Sequence, residues 1–338
     1  MDYRVIAFTD VNKAEIIEGS ADIGEYDICV KTKISTVSCG TERANITGNL
    51  NVSISDDIPE KAVFPRFCGY SSSGVVEDVG KKVTKFKIGD RVAMRGSIHR
   101  DFNIINEDCA VKIPDKISYE EAATAYISTF PAAAIRKTKV EFGESAAVMG
   151  LGVLGIMSVQ LLHAAGAVPV IAVDPVKERR ELALKFGADY AFDPTESDFV
   201  EKINKLTNGV NVVIEVTGVG KGLQQALDIA AKFGRVALLG CTRDKNFTID
   251  YYRKVHGKGV TIVGAHTLAR PQVESSHGMF THNDDMEAVL KLCEEKRINL
   301  KDIIGGTFSP NDCQKVYDSV INDRSFPPIV QFDWEKLT

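Results

Sequence analysis

The chain has 338 residues, 44% of them hydrophobic and 26% charged, with a formal net charge of −5. That composition supports sizeable buried cores, and the acidic balance excludes the basic footprint of a nucleic-acid partner. No apolar run reaches the ~18–20 residues that span a bilayer, and the start, MDYRVIAFTD, lacks the shape of a signal segment, so the expectation is a soluble, cytoplasmic protein.

From residue 1 to about 140 the sequence is a series of short β-rich runs, at 26–34, 74–79 and 91–94, broken by Gly, Pro and Asp turns. Such spacing predicts a small barrel or sandwich. Residues 120–139 are Ala-rich and predict a helix interrupted only at Pro131. From residue 144 strands and helices alternate. Strands are expected at 145–149, 168–173, 190–192, 210–215, 235–239 and 259–263, with helices at 154–165, 177–186, 198–206 and 222–232. Short apolar strands alternating with helices of about ten residues point to an α/β unit with a covered parallel sheet. A helix at 284–296 follows, and the tail (helix 310–322, strand 329–332) returns to the texture of the first half. The expected layout is a β-rich domain, 1–131 with 298–338, interrupted by an α/β domain at 132–297.

Seven cysteines (Cys29, Cys39, Cys68, Cys109, Cys241, Cys293, Cys313) form no Cys-x-x-Cys pair. Their odd number and irregular spacing read as reduced thiols.

Gly150-Leu151-Gly152-Val153-Leu154-Gly155 follows a predicted strand and opens a predicted helix. The first glycine makes a tight turn, the second lets backbone N–H groups approach a pyrophosphate, and the third lets helix and strand pack closely. The helix N-terminus adds partial positive charge. Asp174 ends the next strand about 20 residues on, where a carboxylate accepts the ribose hydroxyls and repels a 2′-phosphate. NAD is therefore the expected cofactor, although Arg179 and Arg180 nearby act in the opposite sense. Thr217 and Gly240 close two further strands on the edge where ligands of open α/β sheets collect.

With these motifs in place the sequence resembles the medium-chain dehydrogenase/reductase superfamily, which includes zinc alcohol, sorbitol and threonine dehydrogenases. The landmarks are Ser38-Cys39-Gly40-Thr41-Glu42, Gly69 to Gly74, Val79-Gly80, Gly89-Asp90-Arg91-Val92, the glycine turn, and Lys258 to Gly264. The resemblance implies a GroES-like catalytic domain, a Rossmann coenzyme domain, an active site in the cleft between them, and a homodimer or homotetramer. It also places His266 after a strand that runs beside the nicotinamide, and makes Thr41 the family's proton-relay hydroxyl.

The departures from the family carry as much information. Cys39 matches the first zinc ligand of metal-dependent members. The Gly-His-Glu segment of the second ligand reads Gly69-Tyr70-Ser71, and the third ligand aligns with Tyr126 or Ala125. The four-cysteine structural zinc lobe is missing. A catalytic zinc needs about three Cys, His, Asp or Glu donors, so no metal is expected, with a rearranged set drawn from Cys39, Glu42, Cys68 and His99 as the alternative. Hydride transfer then needs hydroxyl groups to handle the proton and the developing alkoxide. Thr41 and Tyr70 are the candidates. Glu42 is read either as a loop anchor or as a substrate contact, and Cys39 as a buried relic or a reactive group. Ser71 and Tyr126 are expected to line the pocket, and His277 and His282 to lie in a polar loop over it. For Tyr70 to act as a base at pH 7 its pKa must fall by about three units, which needs a nearby cation: Arg43, the nicotinamide charge of NAD, or a lysine; without one, Tyr70 is better suited to act as an acid in the reductive direction.

The expected activity is NAD-dependent hydride transfer to or from a secondary alcohol or ketone of a polyhydroxylated small molecule, without zinc. A zinc-free quinone or enoyl reductase and a non-catalytic dinucleotide sensor are the alternatives.

Overall fold

The computed structural model describes residues 1–53, 57–242 and 246–338. Contacts divide the chain into two compact units. One comprises Met1–Ile127, Met286–Lys296 and Leu300–Thr338; the other comprises Ser128–Asp285 and Arg297–Asn299.

The first unit holds two sheets. Asp2–Asp10 pairs antiparallel with Lys13–Ser20 and Arg66–Phe67 in a three-stranded sheet. A seven-stranded sheet runs in the order Gly306–Phe308, Val330–Asp333, Asp27–Val37, Ser71–Val79, Arg91–Arg95, Ala110–Lys112, with Phe102–Asn106 also pairing Asp27–Val37. The tail strand Val330–Asp333 lies antiparallel to Asp27–Val37, so the end of the chain rejoins the first half. Phe8, Val37, Ile46, Tyr317, Val330, Phe332 and Trp334 form one of its cores. Short alternating strands of this kind bury one face each, and the buried faces meet in that core.

Two details of this unit depart from the sequence expectations. A helix, Cys39–Ile46, stands where none was expected. The helix predicted at 120–139 is two, Tyr119–Ala122 and Ala125–Thr138, broken before rather than at Pro131. The break has local causes: Ser118 and Glu121 cap the short helix reciprocally, the Thr124 hydroxyl donates to the Glu121 carbonyl, and Ser71 Oγ accepts the Ile127 N–H. A capping box satisfies two orphan donors at once and so fixes a helix start.

The second unit is a six-stranded parallel sheet ordered Tyr190–Phe192, Val170–Val173, Ala146–Met149, Val210–Glu215, Ala230–Leu238, Thr261–Gly264. Strand order reverses at Ala146–Met149, the switch point where open α/β sheets gather ligands. Ala147, Met149, Ile171, Val213, Leu227 and Val236 belong to its core. Helix Gly220–Ile229 ends earlier than expected because the chain re-enters the sheet at Ala230 with a register irregularity, and Phe233 takes a positive φ of 63°. The division after Ile127 precedes the expected one at 131, and 286–296 lie with the first unit, where Cys293 Sγ sits 3.6 Å from Glu121 Oε1.

Candidate functional site

In the first unit the helix Cys39–Ile46 begins at Ser38, its N-cap. The Glu42 carboxylate has no exposed surface. Its Oε1 accepts the Ser38 N–H at 2.7 Å, and its Oε2 accepts the Tyr317 hydroxyl at 2.6 Å and lies 3.1 Å from His99 Nε2. His99 Nδ1 is 2.7 Å from Ser35 Oγ, which also accepts the Trp334 indole N–H at 2.9 Å. Of the two roles read for Glu42, the structure gives it that of anchor. Cys39 is half-buried, its thiol 3.7 Å from the Pro328 carbonyl, and Thr41 is half-buried on the first helical turn.

Tyr70 precedes strand Ser71–Val79, and Gly69 before it has φ +88°, where a Cβ would lie 2.8 Å from the His99 backbone nitrogen. Glycine is thus the residue that lets the chain pass close to His99 and aim Tyr70. The Tyr70 hydroxyl donates to Ser38 Oγ at 2.5 Å and is also hydrogen-bonded to the Thr41 side chain, and its ring meets Tyr126 edge-on at 5.8 Å. Burial holds the phenol well above the usual tyrosine range; Ser38 and Thr41 pull it down, while Glu42 and Tyr126 push it further up. Arg43 is exposed and is absent from the groups acting on it. The raised pKa favours the protonated phenol, the form that donates a hydrogen bond.

Of the three zinc-ligand positions implied by the resemblance, Cys39 alone carries a donor, with Tyr70 and Tyr126 or Ala125 at the others. Among the described residues, no three His, Cys, Asp or Glu side chains come together as a metal site. His99 and Glu42 are bonded into the buried network, and burial followed by Glu42 pushes the Cys68 thiol up. Ser71, expected to line the pocket, and its neighbours Ser72 and Ser73 are bonded within the fold. Ser71 donates to the Ala123 carbonyl, Ser72 to Ser97 Oγ and Ser73 to the Tyr119 carbonyl, each at 2.6 Å, and all three serines are buried.

In the second unit the glycine turn has the form a dinucleotide needs. Gly150 has φ +94°; a Cβ on Gly155 would lie 1.9 Å from the Gly150 carbonyl oxygen, whereas one on Gly152 would meet nothing within 4 Å. The first and third glycines are thus required by packing, and the second leaves the turn open. Leu151 and Val153 are buried and Leu154 half-buried around it, at the start of helix Val153–Ala164. Asp174 follows strand Val170–Val173 and is buried; its Oδ2 accepts the Leu151 N–H and its Oδ1 the Val176 N–H, both at 2.8 Å. A carboxylate offers about four acceptor sites, so this bracing leaves capacity for ribose hydroxyls. The residues fit a bound dinucleotide.

The remaining candidates fall as follows. Thr217 closes the turn after Val210–Glu215: its N–H donates to Glu215 Oε1 at 2.8 Å and its hydroxyl also bonds that carboxylate. Gly240 packs against Gly218, whose nitrogen a Cβ would approach to 2.5 Å. Arg179 is half-buried on helix Lys177–Lys185, while Arg180 pairs with Asp193 at 3.2 Å and donates to the Asp174 carbonyl at 2.6 Å. His266 is half-buried, its Nδ1 accepts the Leu268 N–H at 3.2 Å, and burial followed by Lys137 holds it below its usual pKa. His277 is exposed, whereas His282 is buried with Nδ1 3.3 Å from Thr129 Oγ1. The sequence reading missed Ser38, Tyr317 and Glu215. Glu42 stands four residues after Ser38, one beyond the Ser-x-x-Glu capping spacing, and Tyr317 lies 275 residues from Glu42, so neither contact leaves a signal in the sequence.

Comparison with known proteins bears on both units. Residues 24–120 match the family model of the alcohol dehydrogenase GroES-like domain and residues 153–282 that of zinc-binding dehydrogenases. The sorbitol dehydrogenase of Bacillus subtilis (strain 168) is 30% identical over 251 residues, covering 65% of this chain and 69% of that protein. The D-guloside 3-dehydrogenase of Escherichia coli (strain K12) is 29% identical over 220 residues, 64% of this chain and 63% of that protein, so the match spans less than two thirds of its length. A solved Escherichia coli CFT073 alcohol dehydrogenase, complexed with NADH, superposes with a TM-score of 0.83 at 19% identity over 98% of this chain and 99% of that one.

Proposed function

The chain belongs to the zinc-type alcohol dehydrogenases of the medium-chain dehydrogenase/reductase superfamily, with a GroES-like unit and a Rossmann unit, and from that membership we propose an NAD-dependent, zinc-independent oxidoreductase. Its substrates are a secondary alcohol and the matching ketone of a polyhydroxylated small molecule: a sugar, sugar derivative or cyclitol. The names of the sorbitol and guloside dehydrogenases among its relatives support the substrate class.

The observation that carries the reading is the Tyr70 hydroxyl. It occupies the sequence position of a metal-binding histidine and is held by Ser38 and Thr41. A developing alkoxide needs a preorganised donor, and such a donor in a buried site does what a Lewis acid otherwise does. Asp174 and the open face at Gly152 would hold the dinucleotide, whose nicotinamide supplies or takes the hydride. In reduction Tyr70 donates its hydrogen bond to the carbonyl oxygen and gives up the proton as the alcohol forms. The upward push on its pKa makes this the direction that runs readily near neutral pH.

The outer strand Thr261–Gly264 is exposed at the edge of its sheet, a site for pairing with a second copy, and supports the homo-oligomer included in this reading. The test is a panel of keto sugars, inososes and polyols with NADH, NADPH and their oxidised forms, followed at the nicotinamide absorbance, with metal content measured on the same sample. Turnover of a polyhydroxylated substrate without stoichiometric zinc is the expected result. Activity abolished by chelators and restored by zinc refutes the metal-free site.

A further inference from the structure

We propose that Ser38 is a positioning residue of the reacting centre, the hydroxyl that holds Tyr70 before proton transfer and supports its phenolate afterwards. The proposal rests on the reading of Tyr70 given above.

It begins from a broken local rule. A serine at a helix N-cap ordinarily accepts the N–H of the second or third helical residue. Ser118 does this, accepting the Glu121 N–H at 3.2 Å. Ser38 is the N-cap of Cys39–Ile46, yet its side chain makes no capping bond. Its Oγ accepts the Tyr70 hydroxyl instead. Departures from local preference of this kind concentrate at functional sites.

The helix start is secured by other means. Glu42 reaches back to the Ser38 N–H at 2.7 Å, while its own N–H donates to the Ser38 carbonyl at 2.9 Å. Tyr317 and His99 hold that carboxylate from behind. The backbone of Ser38 is thus fixed without use of its hydroxyl, which is 4% exposed and aimed at Tyr70.

During reduction the Tyr70 O–H bond breaks and its proton passes to the substrate oxygen, as the substrate carbon receives the hydride. For this the Ser38 hydroxyl turns from acceptor to donor as the substrate oxygen arrives, which frees the single Tyr70 proton for that oxygen, and with Thr41 it then hydrogen-bonds the phenolate until a solvent proton restores it. Oxidation is the reverse. Hydrogen bonds to the charged form stabilise it, so losing Ser38 raises the barrier of the proton-transfer step.

The experiment compares Ser38→Ala, Ser38→Thr, Ser118→Ala, Tyr70→Phe and the Ser38→Ala/Tyr70→Phe double variant for thermal midpoint, NADH affinity, kcat and KM. Ser118→Ala should lower the midpoint with kcat unchanged, whereas Ser38→Ala, which also strands the Tyr70 hydroxyl, should lower the midpoint and kcat together. Ser38→Ala should lower kcat roughly 10–100-fold, with KM and NADH affinity within about threefold. Ser38→Thr should recover most of the loss, and the double variant should be no slower than Tyr70→Phe alone. The proposal is overturned if Ser38→Ala keeps wild-type kcat, if Ser38→Thr recovers none of the loss, or if the loss multiplies with that of Tyr70→Phe. A wild-type protein that turns over nothing in the panel sinks the functional reading and this proposal with it. An active wild type matched by Ser38→Ala sinks this proposal alone.

Discussion

Replacing Glu42 by alanine removes a fully buried carboxylate from three partners at 2.6–3.1 Å: the Ser38 N–H, the Tyr317 hydroxyl and His99 Nε2. Each buried donor left without an acceptor costs about 1–3 kcal/mol. Two such donors are stranded, and His99 loses its neighbour in the same cavity. The sum agrees with the about 3–5 kcal/mol typical of breaking a buried charged pair by deleting one member. In a unit of this size 1 kcal/mol moves the melting midpoint by about 2–4 °C, so the expected drop is roughly 6–20 °C. Tyr317→Phe removes a single bond to the same carboxylate and should cost about 1.5–3 kcal/mol. The assay is urea unfolding followed by tryptophan fluorescence. Trp334 is the sole tryptophan, and its indole N–H donates to Ser35, which touches His99, so the probe sits within the network. A Glu42→Ala protein within about 1 kcal/mol of wild type in that assay would refute the reasoning.

Gly155→Ala places a methyl group 1.9 Å from the Gly150 carbonyl; the turn must open, and NADH affinity should fall at least about tenfold by nicotinamide fluorescence. An unchanged affinity would mean that the turn is not the binding element. Asp174→Asn keeps the shape but sets an NH₂ against one of the N–H groups of Leu151 and Val176. NADH binding should weaken about tenfold, or about 1.4 kcal/mol, with NADPH affected less. Equal losses for the two coenzymes would remove Asp174 from discrimination. Tyr70 and Tyr317 both have pKa values raised by burial. Above about pH 10 the unfolded chain releases protons that the folded chain keeps, so stability falls as pH rises. Chemical denaturation between pH 8 and 11 should show that fall, and a smaller one in Tyr317→Phe. A flat profile would contradict the burial of these phenols.

Much of the architecture was legible because it rests on periodicity. Buried parallel strands are short apolar runs, so Val210–Glu215 stands where expected, as does the edge strand Tyr190–Phe192, and the glycine turn stands between strand and helix as its spacing requires. The helix Cys39–Ile46 was hidden because it has little amphipathic pattern: Glu42, a charged residue, is one of its two buried positions beside Ile46. A buried acid reads from sequence as an exposed one, and its real environment comes from Tyr317 and His99, distant in the chain. The same holds for Ser71, Ser72 and Ser73. They look like pocket hydroxyls, but they bond to Ala123, Ser97 and Tyr119 within the fold.

The tyrosine at position 70 and the carboxylate at position 42 are best understood together. A histidine ligand is usually fixed by a hydrogen bond from its second nitrogen to a carboxylate or carbonyl. Tyr70 offers no second nitrogen, and Glu42 is bonded elsewhere, to Ser38, Tyr317 and His99. Glu42 holds the helix start, and the Ser38 hydroxyl bonds the Tyr70 phenol in place of a helical N–H. On the proposed reading the Glu42 carboxylate is held by its buried partners, and Tyr70, bonded by Ser38 and Thr41, keeps its proton until a substrate oxygen takes it. Returning a histidine at position 70 would therefore not by itself recreate a zinc site. Tyr70→His should leave zinc affinity weak by calorimetry, because Cys39 would be its one remaining family donor. Tight stoichiometric binding by that single variant would show that the surrounding residues had kept a metal site in reserve.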